Sequence, residues 1–245
     1  MITSTKHLLT KRMAVAAFNF GTLDIAQSIL AGATSLAEPF IFELNAKEAD
    51  FIGIGTAFVI AESFSKNSLV DFSLHLDHCS DVDTVLKAAA AGFTSGLIDI
   101  SEMQVETGFR LVAKLKEKLP KDFLLEVTVS SPSQALHLDE LGANLLAVEK
   151  DNFCDLSLLK SVRRITNLPL VMHGGSSRSM NEIQEAIRLG VVKINMNTCL
   201  RKAWREGLES TFKENSDMLQ SYELLKKSKE LVKQVVIEKI RYVCP

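Results

Sequence analysis

The sequence lacks several features that would place it in a specialised class of protein. Its 28 lysine and arginine residues are balanced by 30 aspartate and glutamate residues, giving a formal net charge of −2. A nucleic-acid-binding surface therefore has no global electrostatic support. No apolar run reaches the roughly 18 residues that suggest a membrane span, and the opening MITSTKHLLTKR lacks the apolar core of a signal peptide. We therefore expect a soluble, cytoplasmic protein that binds neither nucleic acid nor membranes.

Closely spaced cysteine pairs and interdomain linkers are also missing. Cys79, Cys154, Cys199 and Cys244 are widely separated and include no CxxC pair. In an intracellular protein we expect such residues to be buried free thiols rather than disulfides. No Gly/Ser/Pro-rich stretch divides the 245 residues, and about 250 residues are typical of one α/β barrel. Residues 1–245 are therefore expected to form a single domain.

The sequence does contain a regular alternation of apolar, β-prone runs and amphipathic segments. Strands are predicted at residues 13–19, 39–44, 70–77, 95–100, 123–129, 144–148, 168–173 and 191–195. Helices are predicted at about 23–37, 47–64, 82–91, 102–119, 131–142, 155–164 and 180–189, and the remainder, 197–243, is predicted to be helical. Strands that alternate with helices indicate parallel β/α units. Eight such units favour an α/β fold of the (β/α)8 TIM-barrel type, with a C-terminal helical extension that packs on the barrel or on a partner subunit.

Two histidines are predicted at the rim where the strands end, which is where TIM-barrel active sites lie. His78 follows the third strand and His173 ends the seventh. Neutral imidazole is a good ligand for Zn2+ and similar divalent ions, and a catalytic zinc usually has three protein ligands and one open position. Cys154 and Glu149 follow the sixth strand, and either could supply the third ligand. The alternative is that both histidines are only hydrogen-bonded loop residues.

Asp77, which precedes His78, is the candidate catalytic residue. A carboxylate beside a metal-bound substrate can act as a general acid or base, although it can also simply orient a histidine. The other histidines are expected to have no catalytic role: His75 on the same strand face is structural, His137 lies in a helix at the wrong end of the barrel, and His7 is on the surface.

Small and hydroxyl-bearing residues after the last two strands indicate an anion site. Glycine lets backbone N–H groups approach phosphate oxygens, and phosphate sites in TIM barrels often use the loops after strands seven and eight. With Asn19 from the end of the first strand, the predicted substrate- and phosphate-binding residues are Gly174, Gly175, Ser176, Asn195, Asn197 and Thr198.

Four motifs together resemble one known family over nearly the whole chain. In order and spacing, AFNFGTLDIAQSIL, HLDHC with GFTSGLIDIS, LVMHGGSS and VVKINMNT resemble segments of the class II fructose- and tagatose-bisphosphate aldolases. The resemblance implies a divalent metal, usually zinc, held by His78 and His173, which polarises the substrate carbonyl and stabilises an enediolate. It also implies that Asp77 handles protons, that the anion site holds a phosphorylated ketose or related carbonyl compound, and that the chain forms a homodimer or larger homo-oligomer.

The sequence departs from that family at several functional positions. A family segment similar to GNxHGxYK supplies the third metal ligand and two phosphate contacts. An ungapped alignment puts Cys154, Asp155 and Leu158 at those three positions. Thr128 stands where the family's long acid/base loop has a glutamate, and Asn45 stands where a phosphate-contacting serine is expected. We therefore expect a bisphosphate to bind poorly at its second phosphate.

The replacement at Cys154 leaves two functions open. A thiolate can bind zinc, so Cys154 is predicted as the third ligand beside His78 and His173, and the chain would then be a divergent metal-dependent ketose-phosphate aldolase. Alternatively, Cys154 is a small apolar residue on a degraded loop, and the chain is a catalytically impaired relative that binds a sugar phosphate or a protein partner.

Overall fold

The computed structural model describes residues 1–149 and 154–245. Within these residues, parallel strands β1 to β8 pair in sequence order, and β8 pairs with β1 to close a barrel. The strands are β1 (Val15–Asn19), β2 (Phe40–Asn45), β3 (Phe72–Cys79), β4 (Ser95–Ile98), β5 (Leu124–Val129), β6 (Leu145–Val148), β7 (Leu170–Met172) and β8 (Val191–Met196). The predicted (β/α)8 TIM barrel is therefore confirmed.

Helices alternate with the strands along the chain. They are α1 (Thr5–Lys11), α2 (Leu23–Leu36), α3 (Ala46–Ile52), α4 (Ile54–Ser65), α5 (Val82–Ala91), α6 (Val105–Lys118), α7 (Pro132–Glu140), α8 (Leu156–Arg163), α9 (Met180–Arg188), α10 (Thr198–Glu214), α11 (Ser221–Leu224) and α12 (Lys226–Val243). Ser131 caps α7 by accepting a hydrogen bond from the backbone N–H of Gln134. None of the helices in the described residues combines the length and the apolar character needed to cross a bilayer.

One helical prediction was wrong in detail. The predicted continuous helix over 47–64 is broken at Gly53, whose φ of 86° is outside the helical region and ends α3 before α4 begins. The predicted C-terminal helical extension is present and consists of α10, α11 and α12. Helix α1 was not predicted; it begins at Ser4, whose side chain accepts a hydrogen bond from the His7 backbone.

The C-terminal helix α12 packs against α2 and α10. Val232, Val236 and Ile240 of α12 are buried in the main hydrophobic core. The contact with α10 depends on Gly207, because a Cβ added there would lie 2.4 Å from the backbone of Ser228. The extension is therefore an integral part of the barrel's outer layer, and it joins the last part of the chain to the first.

Candidate metal and substrate site

The ends of β1, β3, β7 and β8 bring most of the predicted site residues to one rim of the barrel. A cavity of about 180 Å3 opens there, and its walls include Asn19, Asp77, His78, His173, Gly174, Ser176, Asn195, Asn197 and Thr198. Residues from opposite ends of the sequence meet at this cavity because the closed barrel places β8 beside β1.

Asp77 is buried at the base of this cavity between two asparagines. The side-chain amide of Asn195 donates to one carboxylate oxygen at 3.1 Å, and that of Asn19 donates to the other at 3.2 Å. Burial acts to raise the pKa of Asp77, but the nearby His78, His173 and Lys193 outweigh it and lower the pKa overall. The site therefore favours an ionised carboxylate held in one orientation.

The two asparagines also direct acceptor atoms into the site. Since an ionised Asp77 can only accept hydrogen bonds, each asparagine must turn its NH2 group toward it. The amide oxygens of Asn19 and Asn195 are buried and have no hydrogen-bond partner within the described residues. Two unsatisfied acceptors beside a carboxylate are suited to hydroxyl groups of a bound ligand.

His78 adopts a left-handed backbone conformation, with φ of 43°, which is uncommon for a residue other than glycine. Its ring packs edge-on against that of His173, with 4.5 Å between the centroids. Its Nδ1 lies 3.7 Å from a carboxylate oxygen of Asp99. Burial acts to lower the pKa of His78, but the interactions of its ring with the carboxylates of Asp99 and Asp77 outweigh that effect and raise the pKa.

His173 lies between two buried glutamates. Its Nδ1 is 3.0 Å from Glu149, and its Nε2 is 3.3 Å from Glu126. Burial acts to lower the pKa of His173, but these two carboxylates raise it to about 10. The ring is therefore fixed in orientation by an acidic partner at each nitrogen.

A buried charge network lies in the barrel interior below the cavity. The ammonium group of Lys193 is 2.7 Å from Glu43, 2.9 Å from Glu126 and 3.2 Å from the Nε2 of His75, and all four side chains are fully buried. His75 also hydrogen-bonds Ser95 through Nδ1 at 2.9 Å. Burial lowers the pKa of His75 to about 3, with the charge of Lys193 acting in the same direction. The network therefore holds the Glu126 carboxylate in place, and that carboxylate in turn orients the ring of His173.

The residues of the predicted anion site surround the start of α10. Gly174 has φ of 73°, which suits glycine, and Gly175 is buried so tightly that a Cβ would lie 2.6 Å from Ile194. The Ser176 hydroxyl accepts a hydrogen bond from the backbone N–H of Cys199 at 3.3 Å. Thr198 is the first residue of α10. A long helix therefore begins at the wall of the cavity, and the positive end of its dipole is suited to an anion.

A larger cleft of about 720 Å3 adjoins the first cavity on the side of α3 and α10. Its walls include Asn19, Asn45, Glu48, Phe51, His78, Leu200, Arg201 and Trp204. Asn45, which stands where the resemblance led us to expect a serine, caps α3 by accepting a hydrogen bond from the Glu48 backbone. Arg201 pairs with Glu48 at 2.8 Å and lines both cavities. The cleft therefore offers the partly neutralised Arg201, the cation of Lys47 and several apolar side chains to the far end of a ligand.

Cys154 does not join the two histidines as predicted. Among the described residues, no group of potential metal ligands with atoms within 4.8 Å of one another includes Cys154. Its side chain is buried in the main hydrophobic core, and burial raises the pKa of its thiol to about 12. Asp155, at the position of the family's glycine, caps α8. An ungapped alignment could not reveal this, because it assigns a position along the chain and not the direction of a side chain.

Three groups of side chains in the described residues place potential ligand atoms within 4.8 Å of one another. They are Asp77 with His78 and His173, Glu43 with His75 and Asp77, and His78 with Asp99 and Glu149. The first and third groups share His78 and lie at the rim. The second group lies in the interior, where Lys193 offsets the charge of Glu43. The residues present are therefore suited to a divalent cation at the rim, with imidazole and carboxylate ligands.

The segment after β5 is short, as expected from the sequence. Thr128 donates to Asp99 at 3.2 Å and accepts from the backbone N–H of Ile100 at 2.9 Å, so its side chain stabilises the end of β4. Helix α7 begins at Pro132, three residues after β5 ends at Val129.

The sequence reasoning missed the partners within the interior network. His75 was expected to be structural, but Glu43 and Lys193 were not considered, although each is a charged residue within an apolar run. A charge at an inward position of a predicted barrel strand was the available signal, since such a group needs a buried partner.

Comparison with known proteins agrees with this architecture. A family model described as class II fructose-bisphosphate aldolase matches residues 2–127 and 144–244, so that residues 128–143, which include the end of β5 and all of α7, lie outside the match. The sulfofructosephosphate aldolase of Alkalicoccus urumqiensis is 26% identical over 262 residues, which cover 93% of this chain and 90% of that protein.

Two crystal structures are similar in fold. The YdjI aldolase of Escherichia coli K12 matches with a TM-score of 0.88 and 24% identity, covering 99% of this chain and 97% of that one. The fructose-bisphosphate aldolase of Campylobacter jejuni matches with a TM-score of 0.84 and 18% identity, covering 99% and 95%. At these identities the likeness supports the fold alone. Because the family model matches both halves of the barrel over most of the chain, this protein belongs to the class II fructose-bisphosphate aldolase family.

Proposed function

We propose that this chain is a metal-dependent aldolase that reversibly cleaves a carbon–carbon bond of a phosphorylated ketose. The observation that carries the proposal is the convergence of Asp77, His78 and His173, whose potential ligand atoms lie within 4.8 Å of one another, beside the N-terminus of α10. Family membership makes an aldolase the expected enzyme class.

His78 and His173 would hold the cation. Bound there, a divalent ion would polarise the ketose carbonyl and offset the negative charge that develops on its oxygen during cleavage. The buried carboxylates on His173 keep its ring oriented, as carboxylate partners commonly do for metal-binding histidines.

Asp77 would move the proton. Retro-aldol cleavage removes a proton from the hydroxyl on the carbon that becomes the new aldehyde, and an ionised carboxylate is the appropriate base. Asn19 and Asn195 orient both oxygens of Asp77, and their own unpaired amide oxygens would accept hydrogen bonds from neighbouring hydroxyl groups of the sugar.

The phosphate would bind against Gly174, Ser176 and the first turn of α10, where backbone N–H groups and hydroxyls meet the positive end of the helix dipole. The far end of the ketose would extend into the larger cleft. There the cation of Arg201 is paired with Glu48. We therefore expect Arg201 to attract a second phosphate less strongly than an unpaired arginine would.

The experiment is a cleavage assay on a panel of ketose phosphates, with release of dihydroxyacetone phosphate coupled to NADH oxidation. Fructose 1-phosphate, fructose 1,6-bisphosphate, tagatose 1,6-bisphosphate and a sulfofructose phosphate cover one-phosphate, two-phosphate and sulfonate ends. We expect cleavage that a chelator abolishes and that added Zn2+ restores. Asp77→Ala should remove it, whereas Asp122→Ala, at an exposed position, should not.

A catalytically impaired, ligand-binding relative gives a different result. The short segment after β5 and the missing family lysine favour that second function. It would show binding of dihydroxyacetone phosphate by calorimetry with no cleavage of any member of the panel, which would refute the aldolase proposal.

A further inference from the structure

Pairing with β5 places the backbone of Glu149 at the rim of the barrel. The residue comes directly after β6, and its backbone N–H donates to the carbonyl of Val129 on β5 at 3.0 Å. Its side chain is 3% exposed. Strand pairing therefore fixes where this buried side chain is attached.

One oxygen of the Glu149 carboxylate has a hydrogen-bond partner in the described residues, and the other has none. Oε2 lies 3.0 Å from Nδ1 of His173. Oε1 is buried and has no hydrogen-bond partner in residues 1–149 and 154–245. Burying an unsatisfied carboxylate oxygen is costly, so this atom points to a ligand.

The same carboxylate also approaches the other predicted histidine ligand. Glu149, His78 and Asp99 have potential ligand atoms within 4.8 Å of one another, and His78 has the same relation to His173 and Asp77. Glu149 therefore contacts one predicted histidine ligand and lies near the second.

The spacing between Glu149 and His173 is suited to a shared cation. Tetrahedral Zn2+ with Zn–N and Zn–O bonds of about 2.1 Å separates adjacent ligand atoms by about 3.4 Å. The observed 3.0 Å between Nδ1 and Oε2 requires a shift of only a few tenths of an ångström. The other nitrogen of His173 faces Glu126, which Lys193 neutralises in the interior. Nδ1 is thus the nitrogen on the Glu149 side.

We propose that Glu149, rather than Cys154, is the third protein ligand of the cation held by His78 and His173. Two histidines and a glutamate are an established catalytic zinc set that leaves a position open for substrate. The inference rests on the metal requirement of the proposed function. It adds that Glu149 takes the place of the histidine that is the third ligand in the family. Cys154, whose side chain is buried in the hydrophobic core, would be a packing residue.

The test is titration of the chelator-treated full chain with Co2+, measuring the dissociation constant and the visible and near-ultraviolet absorption. The variants are Glu149→Gln, Cys154→Ser and His78→Ala, with exposed Glu117→Gln as the matched control. We expect Glu149→Gln to weaken binding by more than the roughly 10–100-fold typical of residues that only orient a ligand. Cys154→Ser and Glu117→Gln should stay within about 3-fold of the unmodified chain, a margin well below that range.

Even if Glu149→Gln does not fold, the absorption spectrum of the unmodified protein with Co2+ bound tests whether a cysteine is a ligand. Absence of a thiolate-to-cobalt charge-transfer band supports a site without cysteine, and its presence overturns the inference. The inference is also overturned if Glu149→Gln binds Co2+ as tightly as the unmodified chain while His78→Ala does not, or if no protein binds the ion. Tight Co2+ binding that depends on Glu149, without cleavage of any ketose phosphate, would uphold this ligand set and refute the aldolase proposal instead.

Discussion

Replacing Lys193 by methionine should destabilise the barrel more than any change on its surface. The ammonium group lies within 3 Å of two fully buried carboxylates, those of Glu43 and Glu126. Methionine preserves most of the apolar stem but removes the only cation that contacts both carboxylates in the described structure. Glu43 then loses its cationic partner in the described residues, and Glu126 keeps only its histidine partners.

The expected loss of stability follows from the burial of Lys193 and its two carboxylate partners. Removing one partner from a buried ion pair costs about 3–5 kcal/mol, which is a large part of the roughly 5–15 kcal/mol that stabilises a typical native protein. With a urea dependence of about 3 kcal/mol per molar, the unfolding midpoint of Lys193→Met should fall by about 1–2 M.

Equilibrium unfolding in urea, followed by circular dichroism, measures this shift. The exposed Lys118, replaced by methionine, is the matched control and should change stability by less than about 0.5 kcal/mol. Adding Glu43→Gln and Glu126→Gln to Lys193→Met removes the uncompensated charges and should recover much of the loss. A midpoint for Lys193→Met within 0.3 M of the unmodified protein, about 1 kcal/mol at that urea dependence, would show that the interior carboxylates do not depend on the lysine.

Further predictions concern Asp77, Glu43, Gly207 and Cys154. Asp77→Asn should lower the rate of ketose-phosphate cleavage by about 10²–10⁴-fold with little change in dihydroxyacetone phosphate binding; a loss below 10-fold would contradict its role as the base. Burial raises the pKa of Glu43 to about 8, from 4.5, so the folded state retains a proton that the unfolded state loses. The contribution of Glu43 therefore makes stability fall as pH rises from 4.5 to 8, and urea midpoints of Glu43→Gln at pH 5 and pH 8 should differ less than those of the unmodified chain. Gly207→Ala should cost about 1–3 kcal/mol because the Cβ would lie 2.4 Å from the backbone of α12; thermal unfolding checks this against Gly55→Ala, where no heavy atom lies within 4 Å. Cys154, whose thiol pKa burial raises to about 12, should resist iodoacetamide until the chain unfolds, and peptide mass spectrometry within minutes of mixing would reveal the opposite.

The fold could be predicted because its strands are apolar on both faces and its helices on only one. Predicted strands agree with the structure to within about two residues at most ends. Helix α1 was missed because seven residues, TKHLLTK, are too few to display a helical stripe. The break at Gly53 depends on a positive φ, which one glycine in a helical pattern does not specify.

The rim residues could be predicted because the ends of parallel strands converge in any closed barrel. Their partners could not be predicted, since pairing requires the register and closure of the whole sheet. Lys193 and Glu43, for example, are separated by 150 positions in the sequence. The prediction that Cys154 is a ligand had a related limit: sequence position after β6 does not specify which way a loop side chain points.

The packing of α12 on α2 has a consequence for synthesis on the ribosome. The outer layer over the first β/α unit is completed by the last helix of the chain, and β1 acquires its second neighbour only when β8 is present. The N-terminal half therefore emerges with apolar surface that has no permanent cover, and domains with such distant contacts fold slowly. Ribosome-bound fragments that end before residue 226 are therefore expected to be sensitive to proteases and dependent on chaperones.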